Sequence, residues 1–208
     1  YITLHDNSTV SYLAAGQAVA SAPYGNLIID GGGTIQGDVR INSSLNLVEG
    51  NLSTGSGTND ITMAAGATLS ADGGFSSAQM IECDGDGNLI KEGNNLSELE
   101  MVYPVGSGGT YSPVEVNSLS GTINGTGSFG VRAKDGIAPN ANVNDLERHW
   151  ITYSDNLENP LMGMTFTFDE AESQSNDYKP MLSVGSNWYE VPSSSQTKYC
   201  PRFKKKLN

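Results

Sequence analysis

The chain is poor in charge, in histidine and in cysteine, and each shortage removes a class of function. Only 16% of its 208 residues are charged, and helix formers never fill a helix-length window. Stretches long enough for an amphipathic α-helix are therefore missing, and with them helical bundles and α/β folds. No apolar run approaches the length of a membrane-spanning helix. Two histidines, His5 and His149, stand far apart, and neither sits in a zinc-type His-Glu-x-x-His run. A Gly-x-Ser-x-Gly elbow for a serine nucleophile is also missing. Basic residues are scarce as well. Five of the 11 lie in the last eleven positions, so residues 1–197 carry 6 basic against 23 acidic side chains, a net of −17. Such a body repels phosphate backbones and anionic lipid, which argues against nucleic acid and against membrane insertion.

What is present is glycine (25 residues), together with Ser, Thr and Asn recurring every few positions. Short aliphatic bursts between them predict an all-β chain. In residues 1–75 the bursts are Leu27-Ile28-Ile29, then Ile35, Val39 and Ile41, then Leu45, Leu47 and Leu52, then Ile61, Met63 and Leu69. Gly, Asn, Ser or Asp breaks each one. This spacing predicts a short β-solenoid, like a parallel β-helix, with Ile28, Ile41, Leu47, Leu52, Ile61 and Leu69 facing one interior.

From about residue 78 the texture changes to longer, aromatic, alternating runs: Leu99-Met101-Tyr103, Val114-Val116, Phe129-Val131, Met164-Phe166-Phe168 and Tyr178-Pro180-Leu182. These predict an antiparallel β-sandwich over 76–197 with Trp150 and Phe166 in its core, and a boundary near Gly73-Gly74. Residues 198–208 read as a basic tail or linker.

Three segments, taken in order, resemble a recurring unit of repeat- or solenoid-type surface proteins, adhesin- or gliding-like, that Bacteroidetes export by the type IX secretion system. The first is Tyr24-Gly25-Asn26-Leu27 with the glycine-punctuated run after it. The second is Tyr103-Pro104-Val105-Gly106 through Tyr111-Ser112-Pro113-Val114, similar to a Phe-Pro-Val-Gly…Tyr-x-Pro-Val signature. The third is Arg148-His149-Trp150, followed downstream by Gly185-Ser186-Asn187-Trp188. The resemblance implies secretion to the outer surface and a role in adhesion, gliding or matrix contact. The family's C-terminal sorting domain is not recognisable in 192–208, so the expectation is either an internal fragment of a longer surface protein or a chain exported by another route.

Candidate chemistry is sparse. Asp84-Gly85-Asp86-Gly87-Asn88 resembles a calcium loop, with Asp84, Asp86 and Asn88 as the oxygen donors. Against an EF-hand the register fails, with Leu89 at the sixth position and Asn95 at the twelfth. The competing reading is a hairpin turn joining Met80–Cys83 to Leu89–Lys91. Cys83 either pairs with Cys200, a closure worth about 4 kcal/mol in the chain-entropy model, or is a small buried hydrophobe. No catalytic residue and no cofactor beyond calcium is expected. The expectation is a non-catalytic extracellular structural or adhesive module at the cell surface, with other surface-protein domains or extracellular polysaccharide as partners. The alternative is a carbohydrate-binding accessory module of a polysaccharide-active enzyme, using Tyr12, Tyr24, Tyr111, Tyr153 or Trp188 as stacking surfaces.

Overall fold

The computed structural model describes residues 4, 5, 7–139 and 147–168, and the backbone of three further strands near the C-terminus. The chain is all-β, with mixed sheets and a curled half-barrel. Its strands begin with β1 (Thr9–Tyr12), β2 (Gln17–Val19), β3 (Pro23–Asp30), β4 (Gly33–Ile35) and β5 (Val39–Glu49). Then come β6 (Leu52–Ser53), β7 (Ile61–Met63), β8 (Thr68–Ala71), β9 (Ile81–Glu82) and β10 (Leu89–Gly93). A 3-10 turn at Leu96–Leu99 precedes β11 (Val102–Tyr103), β12 (Val105–Ser107) and β13 (Thr110–Tyr111). Two long strands follow, β14 (Val114–Asp135) and β15 (Arg148–Phe166), and last β16 (Met181–Val184), β17 (Asn187–Glu190) and β18 (Arg202–Lys205).

Up to β12 the chain passes back and forth between two sheets. β1, β3, β5, β7 and β10 pair in parallel in the larger sheet. β2, β4, β6, β9 and β12 do the same in the smaller one. The long β5 pairs with β7 through Val39–Ile41 and with β8 through Ser44–Leu47. Parallel neighbours place like residues side by side, so aliphatic rows form across the strands. Val39, Ile61 and Leu89 align, as do Tyr24, Ile41 and Met63, and all six are buried. Each such side chain contributes about 1.5–3 kcal/mol of burial. Corners between the sheets need glycine where backbones touch: Gly50 has φ +75, and a side chain there would begin 2.5 Å from Gly32 N. Only glycine tolerates both conditions.

Two details of the expected interior are corrected. Leu27 and Ile29 point inward and Ile28 outward, because a register irregularity between Tyr24 and Asn26 moves the alternation by one residue. Leu69 is half-buried rather than enclosed.

The change from parallel to antiparallel pairing comes at β10 and β14, not near Gly73-Gly74, since β9, β10 and β12 still extend the parallel rows. One hydrophobic cluster runs from Val19 through Val105 to Trp150 and Phe168. Val114-Val116 and Phe129-Val131, expected as separate strands, are the two packed ends of β14, whose exposed middle stays paired with β15 as far as Ile123. Leu99 belongs to the 3-10 turn, which Asn95 caps by accepting from Glu98 N. Trp150 and Phe166 are buried as expected and meet edge to face with centroids 5.2 Å apart. Within the expected tail, Arg202–Lys205 forms a strand lying between β15 and β16. Tyr178, Cys200 and the side chain of Trp188 lie outside the described residues.

Candidate functional site

Asp84–Asn88 is not a hairpin turn. β9 before it and β10 after it belong to different sheets, so it is a corner at which the chain crosses over. The corner stacks on the preceding one at Gly55–Asp60, with Asp86 N donating to Gly57 O at 2.6 Å. A side chain on Gly85 would run into Gly57 O, and one on Gly87 into Asn59 O. Neither glycine has positive φ, so close backbone approach rather than left-handed geometry demands them.

A row of polar side chains pins these corners together. Asp38, Asp60 and Asn88 each precede the first residue of a parallel strand. Asp38 Oδ1 accepts from Asp60 N at 2.9 Å, and Asp60 Oδ1 accepts from both Asn88 N and Asn88 Nδ2 at 2.8 Å. Asn88 Oδ1 in turn accepts from Arg132 Nη1 of β14 at 3.0 Å. Arg132 also donates to Asp86 O at 2.7 Å, and Lys134 donates to Gly85 O at 2.6 Å. The Asp86 carboxylate lies 3.6 Å from Arg132 and 3.5 Å from Lys134, and Asp84 Oδ1 accepts from Gly108 N at 3.2 Å. The three proposed calcium donors are thus brought to one corner, where the cations facing them are Arg132 and Lys134. Among the described residues, no group of three or more His, Cys, Asp or Glu side chains is arranged to hold a metal ion.

Arg132, Lys134 and Asp60 escaped the sequence reading. A signal for Asp60 was available: Asp38-Val39, Asp60-Ile61 and Asn88-Leu89 repeat one acid- or amide-then-aliphatic step at the head of successive strands. The two cations belong to an antiparallel strand far along the chain, and no local pattern ties them to the corner.

The outer face beside this corner carries a second cluster. Arg40, Thr62, Ile90, Gly130 and Tyr153 align across five strands. The Tyr153 ring lies on Gly130, where any side chain would collide with it. Burial, then the carboxylates of Asp60, Asp155 and Glu92, hold the Tyr153 phenol above its ordinary pKa. Arg40 reaches over to Glu92 with two hydrogen bonds of 2.7 and 2.6 Å, and this pairing is the main cause that holds the Glu92 carboxyl below its usual range.

The remaining candidates are dispersed. Tyr24 is buried, its hydroxyl sharing a hydrogen bond of 3.0 Å with that of Tyr12, while Tyr12 and Tyr111 are half-buried. His5 is exposed, and His149 Nδ1 lies 3.1 Å from Gly136 O. Cys83 is a free, buried thiol, its pKa pushed up to about 12 by burial. A thiol so placed is a packing group rather than a nucleophile. Arg148 and Trp150 share the inner face of β15, Arg148 donating to Ser107 O at 3.1 Å and Trp150 Nε1 to Ser112 O at 2.8 Å.

No protein-family model matches this chain, and comparison with curated proteins and with solved structures finds no significant match.

Proposed function

We propose that the chain is a non-catalytic structural or adhesive module of an extracellular bacterial surface protein, of the type IX-exported kind its motifs resemble. In this reading the parallel rows are a short β-solenoid, and the β14–β15 layer begins an antiparallel sandwich that closes it. The observation that carries the proposal is the use made of the polar side chains at the corners and on the outer face. Asp38, Asp60, Asn88 and Arg132 bond to the next strand or corner in line, and Arg40 bonds to Glu92. These groups hold layers in register, which suits a stiff spacer whose core runs on from layer to layer. The test is incubation with a panel of acidic and neutral polysaccharides, with and without calcium. Unchanged glycans are expected, and release of reducing or unsaturated ends would overturn the proposal.

One observation favours a second reading, a carbohydrate-binding module. Tyr153 lies near Glu92 and Asp155 on the outer face, an aromatic ring with polar neighbours of the kind that sugars stack on. Retention on one immobilised glycan, lost in Tyr153→Ala, would move the assignment to that class.

A further inference from the structure

The middle of the β14–β15 ribbon departs from a regular ladder. Ile123 faces Leu157 and Ser128 faces Asp155, so on the β15 side Asn124, Gly125, Thr126 and Gly127 have only Asn156 opposite them, while Gly127 pairs with Gly93 of β10 on the other side. Asn124 and Gly125 are exposed, Gly125 has φ +78, and no atom lies within 4 Å of where a side chain on it would begin. Asn156 is itself left-handed, at φ 55, and its Nδ2 donates to Thr126 O at 3.1 Å. Asn124-Gly125 is also the one Asn-Gly step in the chain.

We propose that this bulge makes Asn124 a self-modification site, at which the asparagine converts to aspartate and isoaspartate through a cyclic imide. The Gly125 amide nitrogen attacks Asn124 Cγ and gives up its proton to water, and the bond from Cγ to the side-chain nitrogen breaks as ammonia leaves. Water then adds to either imide carbonyl and reopens the ring. Addition at the side-chain carbonyl gives aspartate, and addition at the main-chain carbonyl gives isoaspartate. No oxidant and no cofactor is needed. Glycine at the following position leaves the attacking nitrogen unshielded, and the unmatched loop has room for the backbone swing that ring closure requires. The same chemistry, with loss of water instead of ammonia, is blocked at Asp84-Gly85 and Asp86-Gly87. There the backbone is wedged against the Gly55–Asp60 corner and cannot swing. Modification adds a negative charge to the exposed ribbon and, as isoaspartate, lengthens its main chain by one carbon.

The test is to hold the whole chain at mildly alkaline pH and body temperature, natively folded and in urea, and sample it over days by isoelectric focusing and tryptic peptide mass. The native protein is expected to shift by one negative charge and to comigrate with Asn124→Asp. The peptide ending at Arg132 should split into aspartate and isoaspartate forms at a rate of the same order as in urea. Asn124→Gln should not shift. A native protein that stays unmodified while the urea sample converts would overturn the proposal, as would an undiminished shift in Asn124→Gln.

Discussion

Trp150 joins three kinds of interaction in one side chain. It is fully buried, its indole N–H donates to Ser112 O, and its ring meets Phe166 edge to face. Trp150→Ala is expected to cost about 3–5 kcal/mol on urea denaturation, and a loss below about 1 kcal/mol would contradict the packing described. Lys91 is the odd member of its row. It aligns with Met63 on one side and Phe129 on the other, nearly buried, with Nζ donating to Ala64 O at 2.5 Å. Burial lowers its pKa from the ordinary 10.5. The unfolded chain therefore binds more protons between the lowered value and 10.5, so this residue's contribution to stability rises with pH across that window. Lys91→Met should match or exceed the wild type by up to about 1 kcal/mol at neutral pH and should lack that rise. A clear loss in denaturation at neutral pH would show that the bond to Ala64 outweighs desolvation.

At the scale of the element, the stacked corners are held by polar rows and by glycines that let backbones touch. Asn88→Ala removes one donor to Asp60 and an acceptor from Arg132, an expected loss of about 1–3 kcal/mol. Gly85→Ala forces a methyl group against Gly57 O and should cost about 1–3 kcal/mol through overpacking. Gly66→Ala is the informative comparison, because Gly66 has φ +76 and open space around it. Its cost should stay near 1–2 kcal/mol, roughly that of the left-handed backbone alone. The checking measurement is urea denaturation of all three variants together. A Gly85→Ala protein as stable as the wild type would mean that the two corners do not stack.

At the scale of the whole molecule, the buried and half-buried phenols set the alkaline limit. Burial holds Tyr24, Tyr103 and Tyr153 above the ordinary tyrosine pKa of 10.0 and pushes Tyr111 up to about 12. Above pH 10.0 the unfolded chain loses these protons while the folded one keeps them, so stability falls as pH rises. The single Lys91 contribution has the opposite sign and ends near 10.5. Urea midpoints should therefore drop steeply from about pH 10 upward, and a flat profile there would contradict the burial of these phenols. On the acid side Glu92 has the reverse sign. Its lowered carboxyl stabilises the fold above the ordinary 4.5, and that contribution is lost as pH falls through the folded value. Arg40 is 45% exposed, so the pair's share is small, below about 1 kcal/mol.

Composition and short-range pattern were enough to determine that this chain is all-β and that Trp150 and Phe166 are core residues. Those properties follow from local preference and from the cost of leaving large apolar groups in water. Only the tertiary structure decided which strand pairs with which. It placed Leu27 and Ile29 inside instead of Ile28, because alternation in a three-aliphatic run permits either register and an irregularity upstream selects one. It made Asp84–Asn88 a crossover instead of a hairpin turn, since the same glycines serve positive φ or close backbone approach. It also carried Arg132 and Lys134 onto that corner, 46 and 49 residues from the carbonyls they bind. Such pairings depend on the long-range closure of layers, which no window of neighbouring residues contains.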